Sequence, residues 1–398
     1  MRKELPALVR SLPQWLTNQW FLSRAAAEDD DHLTAIPAGI IQALTPKLQS
    51  LPTPHQHQEA IQLTTRAALK AWQANPETAS NCLVVLGSPV ESTALMLKES
   101  LQNYLLDCDV RFFLSGYQRS ADPLDITGHL QRELVPDQEH APPETKVPVT
   151  QTDLHEALPQ VNVIPSLEQC FLRCIQGWEG IEYLQNLVTQ DTARFWVFGC
   201  NHWAWAFLDK VSQIGAYLEQ TQTLPELSGE ALLQWLQPML TTEVKRPDDQ
   251  SLEVHIAAGD EAYWKSLASL AGGNAHTAAY LWLQTLRLDA ELLTPAGTLP
   301  TDTTALEVVT VKPTTPSLMS LETLDRYLLH TLLMHGEMTR SHLAFSMGDD
   351  ERQIRSRVQV LRREGLMRQM GRRLTVHPAH YPKLFNELSN NNFLIGQA

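Results

Sequence analysis

Four short apolar runs, at residues 82–86, 110–114, 161–164 and 194–199, are each followed by a stretch with helical spacing. Strands separated by helices cannot pair as hairpins. They pair through crossovers, which cover both faces of a parallel sheet with helices. This alternation fixes the class as α/β. At 398 residues the chain has length for two or three domains and a sizeable core. It has no run of about 18 apolar residues and no leader-like N-terminal pattern, so a cytoplasmic protein without membrane insertion is expected.

Punctuation along the chain divides it further. Residues 1–78 read as an N-terminal helical segment, with Trp15, Trp20 and Phe21 in one helix, a second helix at 58–72, and the acidic run Glu28 to Asp31 as a solvated loop between them. Residues 79–215 form the α/β core, interrupted by a proline-rich loop at 135–160. Residues 216–292 read as helical, 293–320 as a Thr- and Pro-rich linker, 321–388 as a compact helical and hairpin module, and 389–398 as a tail for docking or fraying.

Net charge is −14, which opposes nonspecific nucleic-acid binding by the chain as a whole, but the charge is unevenly placed. Residues 318–398 carry a net of about +3 and the preceding residues about −17. The five cysteines fall mostly in apolar segments and read as buried structural thiols; Cys170 and Cys174 would share a helical face, with no further pair to complete a zinc set. His55 and His57 read as part of a solvated loop, and no metal site is expected.

The segment 81–94 reads as strand, tight loop and helix start. A phosphate-binding loop of pattern G-x-x-x-x-G-K-[ST] uses backbone N–H groups and a lysine to hold phosphates, and a hydroxyl to hold Mg²⁺. Here Gly87 is present, but Ser92 replaces the second glycine, Thr93 the lysine and Ala94 the hydroxyl, while Glu91 adds a carboxylate to the loop. At the end of the third strand, where metal-binding acids are needed, stand Pro165 and Ser166, with Glu168 beyond on the expected following helix. The fourth strand ends at Asn201. A Gly272-Gly273-Asn274-Ala275-His276 sequence opens a later helix.

In this order, the segments resemble the motifs of the AAA+ superfamily, especially its initiator-like and STAND-like members, across about residues 80–290. The resemblance implies a P-loop, AAA+-like parallel sheet with a helical lid at 216–292. It places Asn201 at the first sensor position and His276 at that of the second sensor's arginine. Gly87, Ser92, Thr93, Asn201 and His276 then mark a vestigial nucleotide site. With the lysine, acids and sensor arginine replaced, no catalytic residue is assigned, and the expected cofactor is none, or weakly bound ATP or ADP.

From residue 321 the pattern gives three helices (321–335, 340–345 and 351–364) and two short strands (366–370 and 374–377), an order that resembles the winged helix-turn-helix of bacterial transcription regulators. In the third helix Ile354, Val358 and Leu361 share one face. Arg352, Arg355, Gln359, Arg362 and Arg363 fall largely opposite, and Arg372 and Arg373 sit at the hairpin tip. These seven are candidate contacts to DNA or to a protein partner; a solvated face is the plain alternative.

The expectation is a noncatalytic AAA+-like scaffold or regulator. Its acidic body would serve a protein partner or self-assembly, and its winged helix would engage DNA or a partner. Two alternatives stay open: an ATPase with an unorthodox site, to which Lys98 or Arg119 supplies the missing cation, and a ligand-sensing transcriptional regulator.

Overall fold

The computed structural model describes residues 32–134, 158–246, 250–295 and 297–393. The helix expected around Trp15, Trp20 and Phe21, the acidic run at 28–31, and nearly all of the proline-rich loop lie outside these residues. The described residues fall into two compact units. One comprises 57–224 with 345–348; the other comprises 32–56, 225–344 and 349–393.

Strand β1 (Leu33–Ala35) and helix α1 (Ala38–Gln49) belong to the second unit, and α2 (His55–Ala74) leads into the first. The described part of the stretch 1–78 is therefore not one segment: residues 32–56 and 57–78 belong to two different cores. His55 and His57 also start a helix rather than occupying a loop, and His57 is buried. The reason is amphipathic: His57, Ile61, Thr65, Ala68, Leu69 and Trp72 recur on one face.

The first unit alternates as β2 (Cys82–Gly87), α3 (Thr93–Leu101), β3 (Asp109–Phe112), α4 (Ile126–Leu134), β4 (Gln160–Ile164), α5 (Glu179–Gln190), β5 (Phe195–Asn201), α6 (His202–Ser212) and β6 (Thr221–Thr223). The strands form one parallel sheet in the order β3-β4-β5-β2-β6. This is the parallel, helix-covered α/β sheet expected from the alternation of strands and helices. Strands β2 and β5 are central and buried throughout, which is why both read as unbroken apolar runs rather than alternating ones. One face packs Leu83, Val85, Val161, Val163 and Val197 against Ile61, Leu69, Met96 and Leu97 of α2 and α3.

In the second unit, α7 (Gly229–Leu240), β7 (Thr241–Lys245), β8 (Ser251–Ile256), α8 (Glu261–Ala271), α9 (Ala275–Thr285), β9 (Leu286–Asp289) and β10 (Ala305–Thr310) follow. Residues 216–292 thus carry helices as expected, together with strands that were not foreseen. The sheet is mixed, in the order β1-β9-β10-β8-β7, and β10 lies inside the stretch expected to be a linker. The alternation of Leu306 and Val308, both buried, with exposed Ala305 and Glu307 is a strand signal that the surrounding Thr and Pro obscure.

The chain ends with α10 (Thr323–His335), β11 (Met338–Thr339), α11 (Arg340–Met347), α12 (Glu351–Arg363), β12 (Met367–Met370), β13 (Arg373–Val376) and α13 (Tyr381–Asn390). Three antiparallel strands order as β11-β13-β12. Gly371, at φ +59°, takes the first place of the two-residue turn between β12 and β13, where L side chains are strained. Phe393 of the expected tail packs on Tyr327 and His330 of α10, with ring centroids 5.0 and 5.1 Å away.

Two polar anchors fix this terminal part. Asp325, wholly buried, accepts from Arg357 Nε at 2.8 Å and from Arg357 Nη2, and also from the Glu322 N–H at 3.0 Å. Within the same unit, the Arg368 guanidinium lies 4.8 Å over the Tyr280 ring, His377 meets that ring edge-on at 4.9 Å, and the Tyr280 hydroxyl accepts from Gln49 Nε2 at 2.7 Å. The stretch 293–320, read as a linker, thus runs within one compact unit and carries β10.

Two outcomes follow. Arg357→Ala strands a buried carboxylate and should lower the unfolding free energy by about 3 kcal/mol in urea titration; a loss under about 1 kcal/mol would contradict the buried pair. Burial, with Lys383 nearby, pushes His380 down from 6.5 to about 4, and burial holds His377 well below its ordinary value too. The unfolded chain takes up these protons first. Stability is thus fully present above about pH 6.5 and falls as pH drops toward 4, by about 3 kcal/mol from His380 alone. Unfolding midpoints unchanged between pH 7 and 4.5 would refute this.

Candidate functional site

The parallel register puts Gly87, at the end of β2, directly opposite Asn201, at the end of β5. Ser92 caps α3 by accepting from the Leu95 N–H at 3.2 Å. The structure therefore brings Gly87, Ser92, Thr93 and Asn201 to one edge of the sheet in the first unit. His276 belongs to the second unit, on the first turn of α9, with its ring 6.2 Å from that of Trp235.

At this edge, several groups that could serve a phosphate are occupied otherwise, although the buried Ser88 hydroxyl has no hydrogen-bond partner. Thr93 is buried, and its hydroxyl lies 2.7 Å from where a Cβ on Gly87 would stand. The side chain at the lysine position thus packs back on the strand end. Pro89 removes one N–H from the loop, and no residue from 88 to 92 has positive φ, so successive N–H groups do not form an anion-binding nest. Glu91 acts on His202, raising its pKa, but burial prevails and holds His202 below its ordinary value.

Asn201 is 2% exposed, and its Oδ1 accepts from the Trp203 and Ala204 N–H groups, both at 2.9 Å, as the N-cap of α6. Its backbone N–H and side chain both bond to the Glu168 carboxylate, which also accepts from Ser166 Oγ at 2.5 Å. Glu168 does not lie on a following helix. It sits in a single 3₁₀ turn, Leu167–Gln169, inside the protein, where burial pushes its carboxyl up against the opposing effect of these hydrogen bonds.

Pro165, at the first acidic position, is a wedge. A Cβ on Gly199 would fall 2.1 Å from its carbonyl oxygen, and one on Gly116 2.4 Å from its Cδ. Arg119, a candidate replacement cation, is buried and donates to the carbonyls of Phe171, at 3.0 Å from Nε, and Glu168. Lys98 is exposed on α3. Cys170 and Cys174 share no helix, because residues 170–178 turn tightly through the Leu172 N–H to Gly177 carbonyl bond at 2.8 Å. Burial raises the thiols of Cys170 and Cys200. Among the described residues, no group of three His, Cys, Asp or Glu is placed to hold a metal ion.

The Gly-Gly-Asn sequence before His276 has a structural use of its own. Gly272, at φ +58°, ends α8, and the Gly273 N–H reaches the Ala268 carbonyl at 3.0 Å. Asn274 then caps α9 through the Thr277 N–H at 2.7 Å.

On α12, Ile354, Val358 and Leu361 are buried as expected, while Arg352, Arg355, Gln359, Arg362 and Arg363 are exposed. Arg372 is exposed at the hairpin tip. Arg373 pairs with Glu337 at 2.6 Å, and Arg363 lies 3.9 Å from Glu364. Sequence reasoning missed Arg357 and named Arg119 only as a cation for a nucleotide; the observed roles of both depend on partners far away in the chain.

No family model matches the chain, and no curated protein matches it. Among solved structures it is similar to Cdc6p of Pyrobaculum aerophilum (14% identity, TM-score 0.35, covering 88% of this chain and 98% of that one). It is also similar to the Orc1 protein of Aeropyrum pernix, solved in complex with DNA (12%, 0.36, 92% and 98%). A third is the RuvB Holliday junction branch migration motor of Thermotoga maritima (15%, 0.29, 81% and 93%). The fold of the present chain is carried by its own strand order. No helix among its described residues is long and apolar enough to cross a membrane.

Restoring a lysine by Thr93→Lys forces an ammonium into a buried position. It should cost about 3 kcal/mol in thermal or urea unfolding and leave calorimetric titration with Mg-ATP flat. Micromolar binding by this variant would instead reveal a working phosphate cradle.

Proposed function

We propose that the chain is a noncatalytic AAA+-like protein whose C-terminal part acts as a winged helix that binds duplex DNA. One observation carries the DNA reading: Arg352, Arg355, Arg362 and Arg372 are exposed with no ion pair among the described residues, on α12 and the adjacent hairpin tip. Arg357, on the inner flank of the same helix, is taken up by Asp325 and Glu322. Three helices followed by a hairpin, with the third helix bedded on its apolar stripe, support the winged-helix assignment.

The noncatalytic part of the reading is supported by Thr93, Asn201 and Pro165, which are committed to packing and capping where lysine, metal acids and a free polar group are needed. The acidic α/β body then serves contacts with a protein partner or with further copies of the chain, and any ATP or ADP binds weakly.

Purified protein should show no ATP turnover with Mg²⁺, with or without DNA; a rate of about 1 s⁻¹ or more, modest for an enzyme, overturns the noncatalytic reading. In gel shifts on mixed-sequence duplex at low salt, the Arg355→Ala/Arg362→Ala protein should bind at least about tenfold more weakly, and binding of the parent should fall steeply as salt rises. Equal binding by both proteins removes α12 from the interface.

A further inference from the structure

We infer that Arg287 is the centre of an anion site in the second unit, beside the start of α1, and that the site takes a small oxyanion: a phosphate group or a carboxylate. It lies in a different unit from the sheet edge near Gly87, and it stands or falls independently of the DNA reading of α12.

A buried ion without a counter-ion is the first ground. Arg287 is 6% exposed. Among the described residues no acid pairs with it, and burial holds its guanidinium below the ordinary range. Its Nη1 donates to the carbonyls of Gln284, at 2.8 Å, and Leu286, at 2.9 Å, where α9 ends. Two neutral carbonyls at a helix C-terminus thus occupy one of three nitrogens. Nε and Nη2, on the other edge of the fork, make no hydrogen bond with a described residue. A charge taken out of water is costly unless it is paired, and this fork fits two oxygens of one carboxylate or phosphate.

Acids on the same face of the sheet do not serve it. Strand β9 turns Arg287 and Asp289 away from the side of buried Leu286 and Leu288. Asp289 Oδ1 accepts from the Glu291 N–H at 2.9 Å, capping the turn that follows. Glu307 of β10, two residues from the register partner of Arg287, Val309, is exposed.

Further donors adjoin in the register. Ala35 of β1 is the other partner of Arg287, and α1 begins three residues later, after about 10 Å of extended chain. Its N-cap, Pro37, makes no side-chain bond, and its first turn holds no acid. The N–H groups of Ala38 and Gly39 therefore present the positive end of a helix without a side-chain cap, an arrangement suited to anions. Gln284 Nε2, on a residue whose carbonyl Arg287 holds, is buried with no hydrogen-bond partner. These groups are all donors and one is a permanent cation, which calls for a negatively charged acceptor. With so little of Arg287 open to solvent, a small ion fits this place and the backbone of a duplex does not.

The test is thermal unfolding and calorimetric titration of the full chain, with sodium phosphate and sodium acetate as probes and sodium chloride at matched ionic strength as control. At about 10 mM, at least one oxyanion should raise the unfolding midpoint by about 3 °C or more over chloride. The stronger responder identifies the ligand as phosphate-type or carboxylate-type. Arg287→Met, which removes charge and fork, should weaken binding at least about thirtyfold. Arg287→Lys, which keeps the charge, should weaken it at least about fivefold. Circular dichroism establishes that each variant is folded. Both variants retain any general effect of the salts on the protein surface, so the difference from the parent reads this site. If Arg287 only capped α9, its replacement would move the midpoint equally in every salt. Equal midpoints of the parent in phosphate, acetate and chloride overturn the site, as does an oxyanion response kept in full by a folded variant.

Discussion

The buried carboxylate of Glu168 is the tie on which one edge of the parallel sheet depends. It joins the end of β4, through Ser166, to the end of β5, through the backbone and side chain of Asn201, which in turn caps α6. Arg119 closes the arrangement from the β3 side by donating to the carbonyls of Glu168 and Phe171. A carboxylate taken from water is costly unless its oxygens are bonded. These bonds therefore hold three strand ends in one geometry, and Pro165 fits between the backbones of Gly116 and Gly199 in the space that remains.

That tie also turns the polar groups of this edge inward. A working site keeps donors and charges aimed outward at a ligand. Here Asn201 Oδ1 is spent on two backbone N–H groups, Arg119 on carbonyls, and Thr93 on the strand end. Most of these polar groups are turned inward, onto backbone groups of the protein itself. The opposite holds on α12, where Arg352, Arg355 and Arg362 stand in solvent while Arg357 is held by Asp325.

Much of the α/β core was legible because its strands are short, the central ones are buried on both faces, and helices separate them. That periodicity is local. Asn201 was found for the same reason, as a polar residue at the end of an apolar strand. Harder to see was β10, whose two inward residues are set among threonines and prolines, and its partner β8 lies about fifty residues earlier. Arg119 and Arg357 gave no local signal, because a buried cation is identified by the carbonyl or carboxylate it meets. The Gly272-Gly273-Asn274 run carried a turn signal that turn chemistry alone accounts for, and its likeness to a lid motif adds no contact of its own.

The sequence by itself determined the α/β class, the succession of strand, loop and helix around Gly87, the residues Thr93, Pro165 and Ser166 where a lysine and acids would stand in a phosphate site, and the apolar stripe of α12 with arginines opposite. These are properties of neighbours three or four positions apart and of residue chemistry. Only the tertiary structure decided that residues 32–56 join a mixed sheet, that Glu168 is internal and tied to Asn201, and which arginines are already paired. Each of those outcomes depends on groups distant in sequence meeting in space, and local periodicity carries no information about such meetings.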